Sequence, residues 1–362
     1  MNNKHYMQLA LKLAEKGIGN VSPNPPVGAL IVINNKIIGK GYHEKYGSFH
    51  AEINALSNVK NSAGSTLFVT LEPCCHYGKT PPCTEAILKS GIKKVVIGMK
   101  DPNPLVAGKG INILKKHGIS VDVENLNGKI DIFYEYFKKF ITSGMPFITL
   151  KMAMTLDGKI ATVSGDSKWI SSEKSRYLVH QLRKRSDAIL VGSNTVIHDD
   201  PKLTPYLIKN NTFMPLRIIL DPNSRAPLTG NVFKDGNPTL LVIDKKVSID
   251  KKKILNLPNV EILPISVFNN KFDLHELLYK LGKKGITSIF VEGGSSTSGA
   301  FFEKKLVDKV IFFIAPKIFG GKNAPTPVGG IGVQKAKDAI KLDKICIKKI
   351  DSDIMITGYP VY

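Results

Sequence analysis

His50, Cys74 and Cys83 have side chains that bind zinc, and the chain spaces them as His50-Ala51-Glu52, Pro73-Cys74 and Pro81-Pro82-Cys83. A catalytic zinc takes three protein ligands and keeps one open position, where a bound water has its pKa lowered to about 7. A carboxylate beside that water can move its proton, and Glu52 stands two residues after His50 for this task. The bland alternative for Glu52 is a surface residue favoured by the first turn of a helix. His-x-Glu, then Pro-Cys, then a second cysteine is the pattern of zinc-dependent base deaminases. A closed structural site would need a fourth protein ligand. The nearest one is Cys75, and adjacent residues on extended backbone point to opposite sides. We therefore expect an open site, with Cys75 and the distant Cys346 as small packed thiols.

Other polar residues gather around these motifs. Asn24, between Pro23 and Pro25, is held in a fixed loop suited to a sugar hydroxyl, or is a plain turn residue. His76, Lys79, Asp101 and Asn103 fall in loops; taken singly, each reads as a solvated loop residue. In the second half, Val291-Glu292-Gly293-Gly294-Ser295-Ser296-Thr297 follows a strand pattern and precedes a helix-like Ala300–Lys304. Glycines there let backbone N–H groups approach a phosphate, although the run is not G-x-G-x-x-G. Trp169, the single tryptophan, either stacks on a flat ring or packs.

These residues need elements to position them. Apolar spacing predicts a helix over 4–16, and Val27–Ile33 and Lys36–Tyr42 flank Asn34-Asn35 as a hairpin. A helix over His50–Val59 carries His50 and Glu52 in its first turn, Ser65–Leu71 is a strand, and a helix over Pro82–Ser90 holds Cys83 near its start. Lys93–Met99 is a strand, and Ile111–His117 and Ile130–Ile141 are helices. Helix starts then point unpaired N–H groups at the metal region. Thr142-Ser143-Gly144-Met145-Pro146 is a breaker cluster, and we place a domain boundary there. Beyond it come strands over Phe147–Met152, Ala188–Gly192, Pro215–Leu220, Thr239–Ile243, Ser288–Val291 and Val310–Ile314, with a helix over Ser172–Arg185. Alternating strands and helices in both halves indicate α/β architecture.

Composition narrows the function classes. At 362 residues and 43% hydrophobic, two domains with separate cores are the expectation. No apolar run approaches a membrane span and the start shows no secretory h-region, so a cytoplasmic protein that takes no membrane partner is expected. The net charge of +21 invites a nucleic-acid reading. Yet arginine first appears at Arg176, and nucleic-acid surfaces lean on arginine for bidentate phosphate and base contacts. The rival function, a nucleic-acid-editing zinc deaminase with an accessory domain, would need an arginine-bearing channel and stacking aromatics around the zinc. The lysine excess suits anionic small molecules instead.

Read together, both halves resemble the bifunctional deaminase–reductase family of riboflavin biosynthesis over essentially the whole chain. Phe49-His50-Ala51-Glu52, Thr70-Leu71-Glu72-Pro73-Cys74-Cys75-His76-Tyr77-Gly78-Lys79-Thr80-Pro81-Pro82-Cys83 and Asp101-Pro102-Asn103-Pro104 look like its deaminase half. Lys151-Met152-Ala153-Met154-Thr155-Leu156-Asp157-Gly158-Lys159, Gly165-Asp166-Ser167-Lys168-Trp169-Ile170, Asp199-Asp200-Pro201 and Val291-Glu292-Gly293-Gly294 look like its reductase half. The resemblance implies a cytidine-deaminase-like three-layer α/β/α domain over 1–145 and a dihydrofolate-reductase-like α/β domain over 146–362. It implies Zn2+ on His50, Cys74 and Cys83, Glu52 as general acid/base, and Asn24, His76, Lys79, Asp101 and Asn103 on a phosphorylated pyrimidine. In the reductase it places Lys151, Ser167, Arg183, Leu203 and Glu292 on substrate. Ala153, Trp169, Thr195, Asp199, Gly294, Ser295, Ser296 and Thr297 fall around NADPH, with Lys151 or Asp199 as proton source. It also implies a homo-oligomer. One position departs: where the family has an arginine after Leu203-Thr204, this chain has Tyr206, with Lys209 a nearby source of charge.

Overall fold

The computed structural model of the protein describes residues 2–209, 213–247, 257 and 259–362. The chain divides into two compact units, Met1–Met145 and Pro146–Tyr362.

In the first unit, β1 (Gly28–Ile33) and β2 (Lys36–Tyr42) form the expected hairpin. Asn34 and Asn35 turn it with φ of 48° and 61°, the left-handed pair that a tight two-residue turn demands and asparagine tolerates. β3 (Thr66–Val69) pairs antiparallel with β1, and β4 (Lys94–Ile97) and β5 (Ser120–Val123) follow in parallel. The sheet order is β2-β1-β3-β4-β5. Alternation along the strands feeds two cores. Leu30, Val32, Phe68 and Val96 face α1 (Asn3–Ala14) and the unit's last helices, in one cluster with Met7, Ala10, Tyr134 and Phe137. Ala29, Ile31, Leu67, Val69, Val95 and Ile97 join Ala51, Ala55, Ile87 and Leu114 in the other. Those last four lie on α2 (Ala51–Leu56), α3 (Cys83–Lys89) and α4 (Lys109–Lys116), so the layers are α/β/α.

Three details depart from the pattern reading. α2 is shorter than His50–Val59, and His50 caps it from extended backbone. β5 went unread because only Val121 of its four residues turns inward. The helix over Ile130–Ile141 is two, α5 (Lys129–Phe133) and α6 (Glu135–Ser143), broken at Tyr134. The break plants a fully buried phenol in the sheet. Tyr134 donates to the Pro26 carbonyl at 2.8 Å and shares a 2.7 Å hydrogen bond with the Thr70 hydroxyl, which accepts from the Gly28 N–H.

The second unit is built on a nine-stranded sheet. Its central strands β6 (Phe147–Thr155), β7 (Ala188–Gly192), β8 (Leu216–Leu220), β9 (Thr239–Asp244), β10 (Val260–Ile265), β13 (Ser288–Val291) and β14 (Lys309–Ala315) run parallel. β16 (Asp353–Val361) and β15 (Lys341–Ile350) close one side antiparallel. The order is β10-β9-β8-β7-β13-β6-β14-β16-β15, and a small hairpin, β11 (Val267–Phe268) and β12 (Lys271–Phe272), stands apart. β6 runs three residues past the expected Met152 because Ala153, Met154 and Thr155 keep pairing with β14. Helices α7 (Glu173–Lys184), α8 (Ser193–Asp199), α9 (Asn231–Lys234), α10 (Leu274–Lys283) and α11 (Ser295–Glu303) connect the strands. α11 starts five residues before the expected Ala300, since the Ser-Ser-Thr-Ser run that reads as loop is its first turn. Cys346 is exposed, not packed, because β15 is an outer strand interrupted by a register shift between Asp343 and Cys346. Among the described residues, no helix is long and apolar enough to cross a membrane.

Tyr134→Phe would leave the Thr70 hydroxyl and the Pro26 carbonyl buried and short of a partner. Leaving such groups unsatisfied costs about 1–3 kcal/mol. Urea unfolding of the variant should show a loss in that range, and an unchanged midpoint would mean the network holds nothing in place.

Candidate active sites

The first site forms where α2 and α3 begin. His50 precedes the first turn of α2, Cys83 is the first residue of α3, and Cys74 lies in the turn after β3. Their ligand atoms all lie within 4.8 Å of one another. His50 Nδ1 is 3.3 Å from Cys83 Sγ and 3.4 Å from Cys74 Sγ. The α3 start contributes directly, since the Cys83 N–H donates to Cys74 Sγ at 3.3 Å. The Cys83 thiol donating to Cys74 pulls the Cys74 thiol down to about 4, and the same contact together with burial pushes Cys83 up. The hydrogen bond with Cys74 raises His50. A sulfur pair that shares one charge, next to an imidazole nitrogen, is the donor chemistry of zinc. These residues fit the metal. Cys75 is outside the cluster, as the alternation argument requires.

Glu52 lies at 3% exposure, and burial, aided by Cys74, pushes its carboxyl up to about 7. A cavity of about 360 Å3 opens beside it. Asn24, His76, Lys79, Asp101 and Asn103 all line it, with Phe137 and Ile141 as apolar wall. Asp101 is pushed up to about 6 by burial and by its neighbours Glu72 and Cys74. Lys79 Nζ sits 4.0 Å over the Tyr46 ring.

Two residues here escaped the sequence reading. His43, at 2% exposure, donates from Nδ1 to the Phe49 carbonyl at 3.1 Å, which leaves Nε2 facing the Asn24 amide at 3.4 Å; burial lowers its pKa. A lone histidine at the end of a strand carries no pattern that would have flagged it. Glu72, also at 3%, accepts the N–H groups of Asp101 at 3.1 Å, Gly108 at 2.9 Å and Ile111 at 3.1 Å. It thereby shapes the loop that carries Asp101 and Asn103. Its position directly before Pro73-Cys74 was the available signal.

The second site is centred on a buried ion triad. Glu292, with its side chain 7% exposed, receives Arg183 Nε at 2.6 Å and Nη2 at 3.1 Å, and Lys151 Nζ at 3.3 Å. Burial alone would raise the Glu292 carboxyl, but Arg183 and Lys151 overcome it and hold it at about 2. Arg183 Nη1 goes to the Thr204 carbonyl at 3.3 Å. A cavity of about 710 Å3 adjoins the triad and is lined by Ala153, Ser167, Trp169, Asp199 and Leu203 among others. Ser167 donates to Asp199 Oδ1 at 3.2 Å. Trp169 is 59% exposed and carries the Arg176 guanidinium 4.7 Å over its ring, so it does not pack in the core. Tyr206 faces the same cavity edge-on to His180; Lys151, Lys168 and Lys202 line that cavity, whereas Lys209 does not.

A further cavity of about 630 Å3 shares Ser167, Thr195, Asp199 and Gly294 with the 710 Å3 cavity and continues to Ser295, Ser296 and Thr297. Gly294 precedes α11 without any side-chain cap, so the first N–H groups of that helix are available to an anion. At Gly293 a Cβ would meet Thr297 Cβ at 2.5 Å, so glycine is required for the strand to turn this close to the helix. Two joined cavities flanked by a helix N-terminus and an exposed indole fit a dinucleotide.

A zinc-binding pyrimidine deaminase followed by a reductase is the class that this fold and these sites define. The cytidine and deoxycytidylate deaminase zinc-binding region matches residues 1–99, and the RibD C-terminal domain matches residues 146–356. Riboflavin biosynthesis protein RibD of Aquifex aeolicus is 44% identical over 355 residues, covering 98% of this chain and 97% of that protein. The solved structure of Acinetobacter baumannii RibD is 35% identical with a TM-score of 0.87, covering 99% of each chain. A diaminohydroxyphosphoribosylaminopyrimidine deaminase/5-amino-6-(5-phosphoribosylamino)uracil reductase from Thermotoga maritima is 36% identical with a TM-score of 0.87, again over 99% of each chain. The chain belongs to the RibD family, the bifunctional deaminase–reductases of riboflavin biosynthesis that use Zn2+ and NADPH.

Cys83→Ser should lose most of the zinc, whereas Cys75→Ser should keep close to one zinc per chain; metal analysis finding both equally depleted would refute the open three-ligand site. The triad makes a second prediction. Because the folded Glu292 pKa lies below its ordinary 4.5, the stability it contributes is present above pH 4.5 and is lost as pH falls toward 2. Glu292→Gln should cost about 3–5 kcal/mol near neutrality and flatten stability against pH in that acid window. Unfolding curves recorded between pH 2 and 7 check both.

Proposed function

We propose that the first unit hydrolyses an amino group of 2,5-diamino-6-ribosylamino-4(3H)-pyrimidinone 5′-phosphate, and that the second reduces the ribosyl group of the deaminated product to ribityl. The observation that carries this reading is one cavity that joins a three-ligand nitrogen and sulfur set to a buried carboxylate at Glu52. The relative from Thermotoga maritima bears both activities in its name.

Zinc on His50, Cys74 and Cys83 supplies the Lewis acidity that makes water a nucleophile near neutral pH. Glu52 takes one proton from the attacking water and gives it to the ring nitrogen. It then takes the second from the hydroxyl so formed on the ring carbon and delivers it to the departing amine, which leaves as ammonia while the oxygen stays on the ring as a carbonyl. A carboxyl held at about 7 can both accept and donate under these conditions. Asn24, Lys79, Asp101 and Asn103 orient the base and the ribose phosphate from the cavity wall, and His76 caps it from the exposed loop.

In the second unit NADPH supplies the reducing equivalent. The protein contributes position. Lys151, Arg183 and Glu292 form one rigid group of net single positive charge beside the cavity, suited to a phosphorylated sugar. Ser167 and Leu203 shape the substrate side, and Ala153, Trp169, Thr195 and Asp199 with Gly294 to Thr297 hold the cofactor. Either Lys151 or Asp199 delivers the proton to the sugar nitrogen.

We also propose that the chain pairs with a second copy. β15 is an outer strand that exposes Ile345 at 57% and Ile347 at 66%, a row that a partner strand would cover. Nucleic acid and membrane are not partners in this reading, since the first unit offers no arginine around its cavity. The four cysteines are free thiols, which suits the cytoplasm.

Glu52→Gln should keep zinc and lose deamination by about 10²–10⁴-fold, the usual range for a positioned acid/base, while still reducing supplied deaminated substrate. Mass analysis of both reactions, with and without NADPH, tests this. A variant that deaminates normally removes Glu52 from the chemistry, and one that also fails to reduce shows that the two units are not separate catalysts.

A further inference from the structure

One wall of the first unit's cavity is carried by the loop from Asp101 to Gly108, and one buried side chain grips both ends of that loop. Glu72 Oε2 accepts the Asp101 N–H at 3.1 Å and the Gly108 N–H at 2.9 Å, so the two ends converge on a single atom. Its other oxygen, Oε1, accepts the Ile111 N–H at 3.1 Å in the first turn of α4. Gly108 caps that helix with φ of 90° and has no side chain to take its first N–H groups, so Glu72 takes them from a distance. Glu72 is itself fixed, at 3% exposure and with its own N–H on the Met99 carbonyl at 3.0 Å. Gly110 permits the approach, since a Cβ there would run into the Pro73 carbonyl oxygen.

Between its gripped ends the loop is wound on Asn103. The Asn103 N–H donates to Asp101 Oδ1 at 2.8 Å, and Asn103 Oδ1 accepts the Leu105 N–H at 3.0 Å. The Asn103 carbonyl accepts the Val106 and Ala107 N–H groups, each at 2.9 Å. Asp101, Asn103 and Val106 line the cavity, whereas Leu105 at the tip is 62% exposed. Glu72 borders the cavity too, but both its oxygens face backbone N–H groups, so it acts on a ligand through the loop. Joining the ends of a loop removes the entropy of closing it, and a wall already closed in the free protein need not be ordered by its ligand.

We propose that Glu72 is a positioning residue of the deaminase: by closing the Asp101–Gly108 loop it sets how tightly the pyrimidine substrate is bound, and it takes no part in the metal site or in moving the proton. The inference rests on the reading that Asp101 and Asn103 contact that substrate.

The test is steady-state deamination by the full zinc-loaded chain, with zinc content, reduction of supplied deaminated substrate and a thermal melt recorded for each variant. Glu72→Gln keeps the size of the side chain but turns one acceptor into a donor that opposes the N–H groups. It should raise KM by about 10- to 100-fold, the scale set by a small misplacement of binding groups. The kcat should stay within about threefold, with zinc and reduction unchanged. Glu72→Asp, which keeps both acceptors on a shorter stem, should recover part of the loss. Asn103→Ala, on the loop itself, should raise KM in the same way. An unchanged KM in Glu72→Gln beside a raised one in Asn103→Ala would overturn the proposal and leave the cavity wall as read. An unchanged KM in both would overturn the reading of the wall as well. Loss of zinc or of kcat in Glu72→Gln would make Glu72 a support of the metal turn and overturn the proposal. Hydrogen exchange on the unaltered chain tests the joint without any substitution: the Asp101, Gly108 and Ile111 amides should exchange slowly together, and fast exchange at any of the three would overturn the proposal.

Discussion

A carboxylate removed from water must be compensated, and this chain buries several of them next to its sites. Glu72 is satisfied by three backbone N–H groups, Asp221 by two, Asp353 by the Ser172 N–H and the Ser175 hydroxyl, and Glu292 by an arginine and a lysine. Each thereby becomes a fixed post around which a loop is shaped. Among the described residues, no lysine or arginine stands against Glu52, and its proton affinity rises toward neutrality. The same burial therefore gives anchors in four places and a movable proton in the fifth.

The anchors explain how loops can carry chemistry in both units. In the first, Glu72 holds the segment from Asp101 to Ile111 against the turn that presents Cys74. Tyr134 ties the loop that carries Asn24 to the sheet through Pro26. In the second, Glu292 fixes the outer end of β13 to β6 through Lys151 and to α7 through Arg183. Side chains that would otherwise sample several rotamers meet their ligands with that freedom already removed.

Much of this was legible in the sequence because ordered spacing encodes it. His50, Glu52 and Cys83 sit at helix starts, so their neighbourhood followed once the helices were placed. The strands Ala188–Gly192 and Ser288–Val291 matched their apolar runs because both are buried on each face. What stayed hidden was what only packing decides. Tyr134 looks like one more apolar residue in a helical run, and only the sheet beneath it explains why the helix breaks there. β5 lacks the alternation of a half-buried strand because it lies at a sheet edge. The resemblance places Arg183 on substrate, and the sequence does not reveal that three of its nitrogens are engaged within the protein. Cys346 has the apolar neighbours of a core residue on a strand whose face stays uncovered.

The cavity around Glu52 has a composite origin along the chain. Its metal chemistry lies wholly within the generic zinc-binding region, residues 1–99. Asp101, Asn103, Val106, Phe137, Phe140 and Ile141, which close the other side, all lie beyond it. Reactivity is thus written in the first stretch, and part of the selecting wall in the second. Mutational drift in the second stretch can redirect which ring is admitted without disturbing how the amine is removed. During synthesis, the catalytic groups leave the ribosome before the wall that restricts their choice.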